Sequence, residues 1–143
     1  MTVMDYLSRP EDLRREIIRK KRRIETLRGM VGRLSARLQE VSVRSSPDPT
    51  RMQSLLAGIA DGENELRQLE EDLRQALADV ARFISLLPEE RLIRVLEARY
   101  LQGMAWEEIT CWLGYSRASV FRYHNEAVSL LPPPPEIPGE DGF

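Results

Sequence analysis

Arg117 and Arg122 flank Ala118, Ser119 and Phe121 immediately after Gly114-Tyr115-Ser116. A guanidinium is a planar fork of donors that pairs bidentately with guanine O6 and N7 or with a phosphate. Small neighbours such as Ala118 and Ser119 let a helix come close to the base edges, so the cluster suits reading of double-stranded DNA in the major groove. His124 is the chain's single histidine; its place on the same helix predicts a surface position or a backbone phosphate contact. The candidate DNA-binding residues are therefore Arg117, Ala118, Ser119, Phe121, Arg122 and His124.

The flanking sequence supplies the elements that would hold them. Trp106, Ile109 and Leu113 recur at helical spacing and give a short helix one apolar face. Gly114 follows where the chain must turn and a residue without Cβ is cheapest. Ser116 is a good N-cap for a second helix, whose apolar stripe is expected at Val120, Tyr123, Ala127 and Leu130. Thr110, four residues before the glycine, is small enough to let the two helices approach. The same spacing would also suit an ordinary helical hairpin with solvent-facing arginines.

Leu87-Pro-Glu-Glu-Arg-Leu-Ile-Arg-Val-Leu-Glu-Ala-Arg-Tyr-Leu101, followed by the block Trp106 to Asn125, resembles region 4 of bacterial sigma factors of the sigma-70 class. The layout as a whole is similar to small phage and prophage proteins associated with late gene control. The resemblance implies a three-helix helix-turn-helix domain over residues 88–131, with Arg117, Ala118, Ser119 and Arg122 facing bases and Trp106, Ile109, Leu113, Val120 and Tyr123 in the core. It further implies recognition of a promoter element, with bacterial RNA polymerase as a second partner. Nothing before Pro88 supplies the exposed aromatics with which a sigma factor melts DNA, so the chain is not expected to open a promoter by itself.

Upstream, apolar residues alternate steps of four and three. One run occupies positions 13, 17, 20, 24, 27, 31, 34, 38 and 41, broken only by Lys20; the other runs from Met52 through Leu55, Ile59, Gly62, Leu66, Leu69, Leu73, Ala76, Val80 and Phe83 to Leu87. A sustained 3.5-residue period is the mark of a left-handed coiled coil. Ser45-Ser-Pro-Asp-Pro-Thr50 lies between the runs, and its prolines demand a turn near residues 42–50. The expected fold is thus all-α: a long antiparallel helical hairpin over residues 1–87, about 50 Å long at ~1.5 Å per residue, then the three-helix domain. Counting outward from the turn pairs Leu38 with Leu55, Val31 with Gly62, Leu27 with Leu66 and Lys20 with Leu73, which would bring Gly29, Gly32 and Gly62 to one level.

Charge agrees with such pairing. Residues 1–44 carry 12 Arg and Lys against 6 Asp and Glu, and residues 45–87 carry 4 against 8. Opposite arms favour cross-helix ion pairs, each worth only about 0.2–1 kcal/mol when exposed. The block Arg19-Lys-Lys-Arg-Arg23 reads as a solvated coiled-coil face or as a phosphate-binding patch. A two-helix hairpin exposes the flanks of its seam, and Ile18 and Leu56 beside it favour a homodimer.

Other functions are weakly supported. A single Cys111 excludes an intramolecular disulfide and is expected to be a partly buried, inert thiol. Glu107 and Glu108 suit a first helical turn better than acid–base catalysis. No metal-ligand constellation, phosphate loop or cofactor motif is present, so an enzyme is not expected. No segment approaches the ~20 apolar residues of a membrane span, and a signal-peptide core is missing, which places the chain in the cytoplasm of a bacterial host. The stretch from Pro132 to Phe143 should leave the last helix as extended polyproline and end disordered. Two other roles fit the same elements: a packaging component like a small terminase subunit, which would assemble into a ring, and a polymerase-binding sigma mimic.

Overall fold

The computed structural model describes residues 1–40 and 49–137 of the 143. Its regular structure is helical, with no strand among the described residues. Five α-helices follow one another: α1 (Val3–Glu40), α2 (Pro49–Ile84), α3 (Glu90–Leu96), α4 (Trp106–Leu113) and α5 (Arg117–Leu130), with a π-helical turn, Glu97–Leu101, continuing α3. None of these helices is long and apolar enough to cross a membrane. Most of the expected turn, and the seam position Val41, lie outside the described residues. Pro49 opens α2, a position where its missing N–H costs nothing.

α1 starts well before the seam residue Leu13 that marks its apolar period. The Asp5 N–H donates to Thr2 Oγ1 at 3.1 Å and the Thr2 N–H donates to Asp5 Oδ2 at 2.9 Å, a reciprocal cap that satisfies two donors with no partner inside the helix. The Asp5 carboxyl is accordingly held below its usual range by the Thr2 hydrogen bonds.

The chain divides into two compact units, and the division does not fall at residue 87. One unit joins Met1–Asp12 to the residues from Leu73 onward; the other is Leu13–Asp72. The reason is a shared core. Tyr6 and Leu7 of α1 and Val80, Phe83 and Ile84 of α2 are buried in one cluster with Leu87, Leu92, Leu96, Tyr100, Ala127 and Leu131. Tyr6 meets Phe83 edge-on, ring centroids 4.8 Å apart. The helix ends thus form part of the C-terminal domain's interior.

In that unit Ala127 is buried as its spacing predicts, but Leu130 is 52% exposed and Leu131 takes the inward place at 7%. The helix stops at Leu130, Leu131 adopts extended angles, and the change of backbone direction turns the next side chain in. From Pro132 the chain is non-helical, as expected, yet it does not leave the fold there. Ile137 packs on the same cluster as Tyr6 and Leu131, so the expectation of a free tail is corrected as far as residue 137; residues 138–143 lie outside the described residues.

Within Leu13–Asp72, Ile17 and Ile24 are buried while Ile18 and Leu56 are exposed, as the period predicts, but the seam residue Leu38 is exposed as well. The pairing differs from expectation. Ile24 lies against Gly62, Leu27 against Gly58, and Lys20 pairs with Glu65, so residue numbers fall along one helix as they rise along the other. This register is displaced by one heptad from the one that set Val31 against Gly62. A seven-residue slide returns every seam residue to the seam, so periodicity alone cannot choose between them. Lys20 reaches a carboxylate and not Leu73, and the three glycines do not cluster: a Cβ on Gly32 would meet nothing within 4 Å, whereas one on Gly62 would stand 3.0 Å from Ile24 Cγ1.

Candidate functional site

α3, the π turn, α4 and α5 enclose a second small core of Val95, Ala98, Ile109 and Val120, flanked by Met104, Trp106, Leu113, Tyr115 and Tyr123. The π turn is closed by the Gln102 N–H donating to the Glu97 carbonyl at 3.0 Å. Its wider spacing lets Ala98 and Tyr100 both face inward. α4 begins with the Ala105 N–H donating to Glu108 Oε1 at 3.2 Å, which gives Glu108 a capping role. It ends at Gly114, φ +73°, whose N–H donates to the Thr110 carbonyl at 2.9 Å. In this left-handed region any Cβ is disfavoured, which accounts for the glycine.

Ser116 caps α5 as its type predicts: the Ser119 N–H donates to Ser116 Oγ at 3.1 Å and the Ser116 hydroxyl donates to Ser119 Oγ at 2.9 Å. The turn and the cap together fix where α5 starts and which side of it faces out. Arg117, Ala118 and Arg122 are exposed there, and Ser119 is half-buried with its hydroxyl engaged in the cap. The Arg117 guanidinium lies 5.8 Å from the Phe121 ring centroid, and that of Arg122 lies 5.4 Å from Tyr123.

Besides Ser119, two of the six candidate residues are placed differently from expectation. Phe121 is half-buried, its ring 4.8 Å from that of Trp106, so it shores up the N-terminal end of α5 and is not an open contact. His124 is neither at the surface nor free to meet a phosphate. It is 8% exposed, one turn after Val120 on the side of α5 that faces the core, and its Nε2 shares a hydrogen bond with Tyr100 Oη at 2.6 Å; the Tyr100 hydroxyl also reaches Met4 Sδ at 3.6 Å. Nδ1 faces Asn125 Oδ1 at 3.3 Å, while Trp106 stands edge-on with centroids 5.1 Å apart. Burial, followed by the nearby Arg99 charge, lowers the His124 pKa, with Asn125 opposing. Burial likewise pushes the Tyr100 hydroxyl up to about 12. Both groups are therefore neutral near pH 7. Arg99 itself stacks 4.7 Å over Trp106 and donates to the Met104 carbonyl at 2.9 Å, clamping the loop that leads into α4.

Asn125 was not among the candidates. It lies seven residues after Ala118, is exposed, and shares with Ala118 and Arg122 the side of α5 opposite Val120, His124 and Ala127. Its amide is of the type that reads adenine N6 and N7, and the 118, 122, 125 spacing was the available signal. Cys111, expected to be partly covered, is exposed, because Ile109 and Leu113 claim the inner face of this two-turn helix. Its neighbour Trp112 is 59% exposed.

Chemically the site is a short convex surface bearing two guanidinium groups and an amide around a small residue. No protein-family model, no curated protein and no solved structure matches this chain.

Proposed function

We propose that the chain is a sequence-specific DNA-binding transcription regulator of phage or prophage type, working in the cytoplasm of a bacterial host. In this reading α4 and α5 are the two members of a helix-turn-helix resembling sigma region 4, with α3 as its third helix, and α5 enters the major groove. α1 and α2 form an antiparallel coiled-coil hairpin through which two chains associate. Residues 88–131 carry 5 Arg against 6 Glu, so affinity for DNA is modest and contact with RNA polymerase supplies the rest of the occupancy.

The observation that carries the reading is the exposed start of α5, where Arg117, Ala118, Arg122 and Asn125 are held outward by the Gly114 turn and the Ser116 cap. Local energetics add support. The first turn of α5 has no acidic residue and contains Arg117, whereas the helix dipole favours the opposite sign there by about 0.3–1 kcal/mol. A cation kept against that preference suits an external anion.

The test is selection of a bound sequence from a random duplex pool by the full chain, followed by shift assays on the selected site. Each bidentate arginine–guanine pair is worth about 1–3 kcal/mol of discrimination. Arg117→Ala with Arg122→Ala is expected to abolish preference for the selected site with helical content unchanged. Equal preference in the double variant refutes the assignment of this face.

A further inference from the structure

Arg15, Arg19, Arg22, Arg33 and Arg37 are all exposed on α1. At 3.6 residues per turn they fall within roughly 60° of arc, on the side of α1 away from the seam of Leu13, Ile17, Ile24 and Leu27. Between Arg15 and Arg37 the helix holds only two carboxylates, Glu16 and Glu25, and both project outside that arc. Two acidic side chains of α2 go to cations outside that arc: Glu65 takes Lys20 and Glu63 takes Arg28. Arg19, Arg22, Arg33 and Arg37 make no ion pair among the described residues.

We infer that this arginine stripe is a second nucleic-acid contact, one that grips the phosphates of duplex DNA without reading its bases. Three features favour a phosphate backbone as occupant. Every cation of the stripe is an arginine, whose planar fork matches phosphate oxygens where lysine offers a point charge. Like charges at 19/22 and 33/37 repel across one turn, each costing about 0.2–0.5 kcal/mol, a cost that an external polyanion removes. The stripe is also divided: Arg22 and Arg33 stand about 16 Å apart along the helix at 1.5 Å per residue. Thr26 and Met30 are exposed between them, and Gly29 is half-buried beneath the Arg33 side chain. A B-form major groove is about 12 Å wide, so the two side chains can extend to opposite phosphate walls, with the uncharged Thr26 and Met30 between them.

The inference rests on the proposed DNA-binding role but not on α5, and the two fail separately. Binding of the full chain to an arbitrary labelled duplex is followed by anisotropy between about 50 and 200 mM salt, where log K falls by about 0.9 per phosphate contact for each unit of log salt. Replacing Arg19, Arg22, Arg33 and Arg37 with Gln is expected to flatten that slope by about three to four units, with any preference for the selected site retained. The same four positions changed to Lys restore the slope, which separates lost charge from lost folding. An unchanged slope in the Gln variant overturns the inference, as does stronger binding of an A-form RNA duplex, whose deep, narrow major groove does not admit a helix. A flattened slope in a chain that selects no sequence upholds the stripe and overturns the reading of α5; a chain that binds no duplex overturns both.

Discussion

Breaking the Tyr100–His124 hydrogen bond tests how α5 is seated. His124 Nε2 and Tyr100 Oη are hydrogen-bonded at 2.6 Å in a site only 8% exposed, so Tyr100→Phe leaves a buried ring nitrogen without its partner. Such a loss costs about 1–3 kcal/mol, and for a cooperative unit of this size each kcal/mol lowers Tm by roughly 4–8 °C. Removing both polar ends, with Tyr100→Phe and His124→Leu together, costs less than the sum of the single changes, by about 1 kcal/mol or more. The pH dependence has a definite sign. His124 is depressed below its ordinary value by burial first. Above about pH 6.5 it is neutral folded and unfolded, and the full stability is present. As pH falls below that value the unfolded chain binds a proton that the folded chain refuses. Stability therefore drops toward the folded pKa with a slope of at most about 1.4 kcal/mol per pH unit. His124 is the single histidine, so thermal unfolding followed by circular dichroism from pH 7 to 5 isolates it; His124→Leu should flatten the profile. The carboxyls of Asp5 and Glu65, lowered by hydrogen bonds from Thr2 and Lys20, lose their contributions at lower pH. A wild-type profile flat over that window, or single variants whose effects simply add, refutes the account.

Two chemically identical substitutions should part company within Leu13–Asp72. Gly32→Ala, with nothing within 4 Å of the added carbon, should stabilise by about 1 kcal/mol through helix propensity. Gly62→Ala places that carbon 3.0 Å from Cγ1 of the buried, β-branched Ile24, and overpacking of about 1–3 kcal/mol cancels or reverses the gain. Urea unfolding of both variants checks this; equal stabilisation would contradict the observed register. At the other end of the chain, Ile137→Ser should lower stability by about 1 kcal/mol, since a half-buried apolar side chain leaves the cluster holding Tyr6 and Leu131. No change in Tm would show that the segment after Leu131 is not anchored.

Local chemistry was legible in the residues. Gly114 and Ser116 were recognisable because a left-handed turn and a helix cap each demand a particular residue type within a few positions. The exposure of Arg117, Ala118 and Arg122 followed from the 3.6-residue period counted from that cap. The same counting separated Ile17 and Ile24 from Ile18. What depended on distant partners could not be read this way. His124 looked like a surface polar residue until Tyr100, brought inward by a π turn that no periodicity announces, supplied a buried hydrogen-bond partner. Tyr6 and Ile137 lie at opposite ends of the chain, yet both pack on one cluster. The heptad pattern specified a seam but left its register open to slides of seven. The physical reason is common to all three: turns, caps and helix phase arise from interactions within a few residues, whereas register, burial of a polar side chain and the extent of a core are set by which remote surfaces meet.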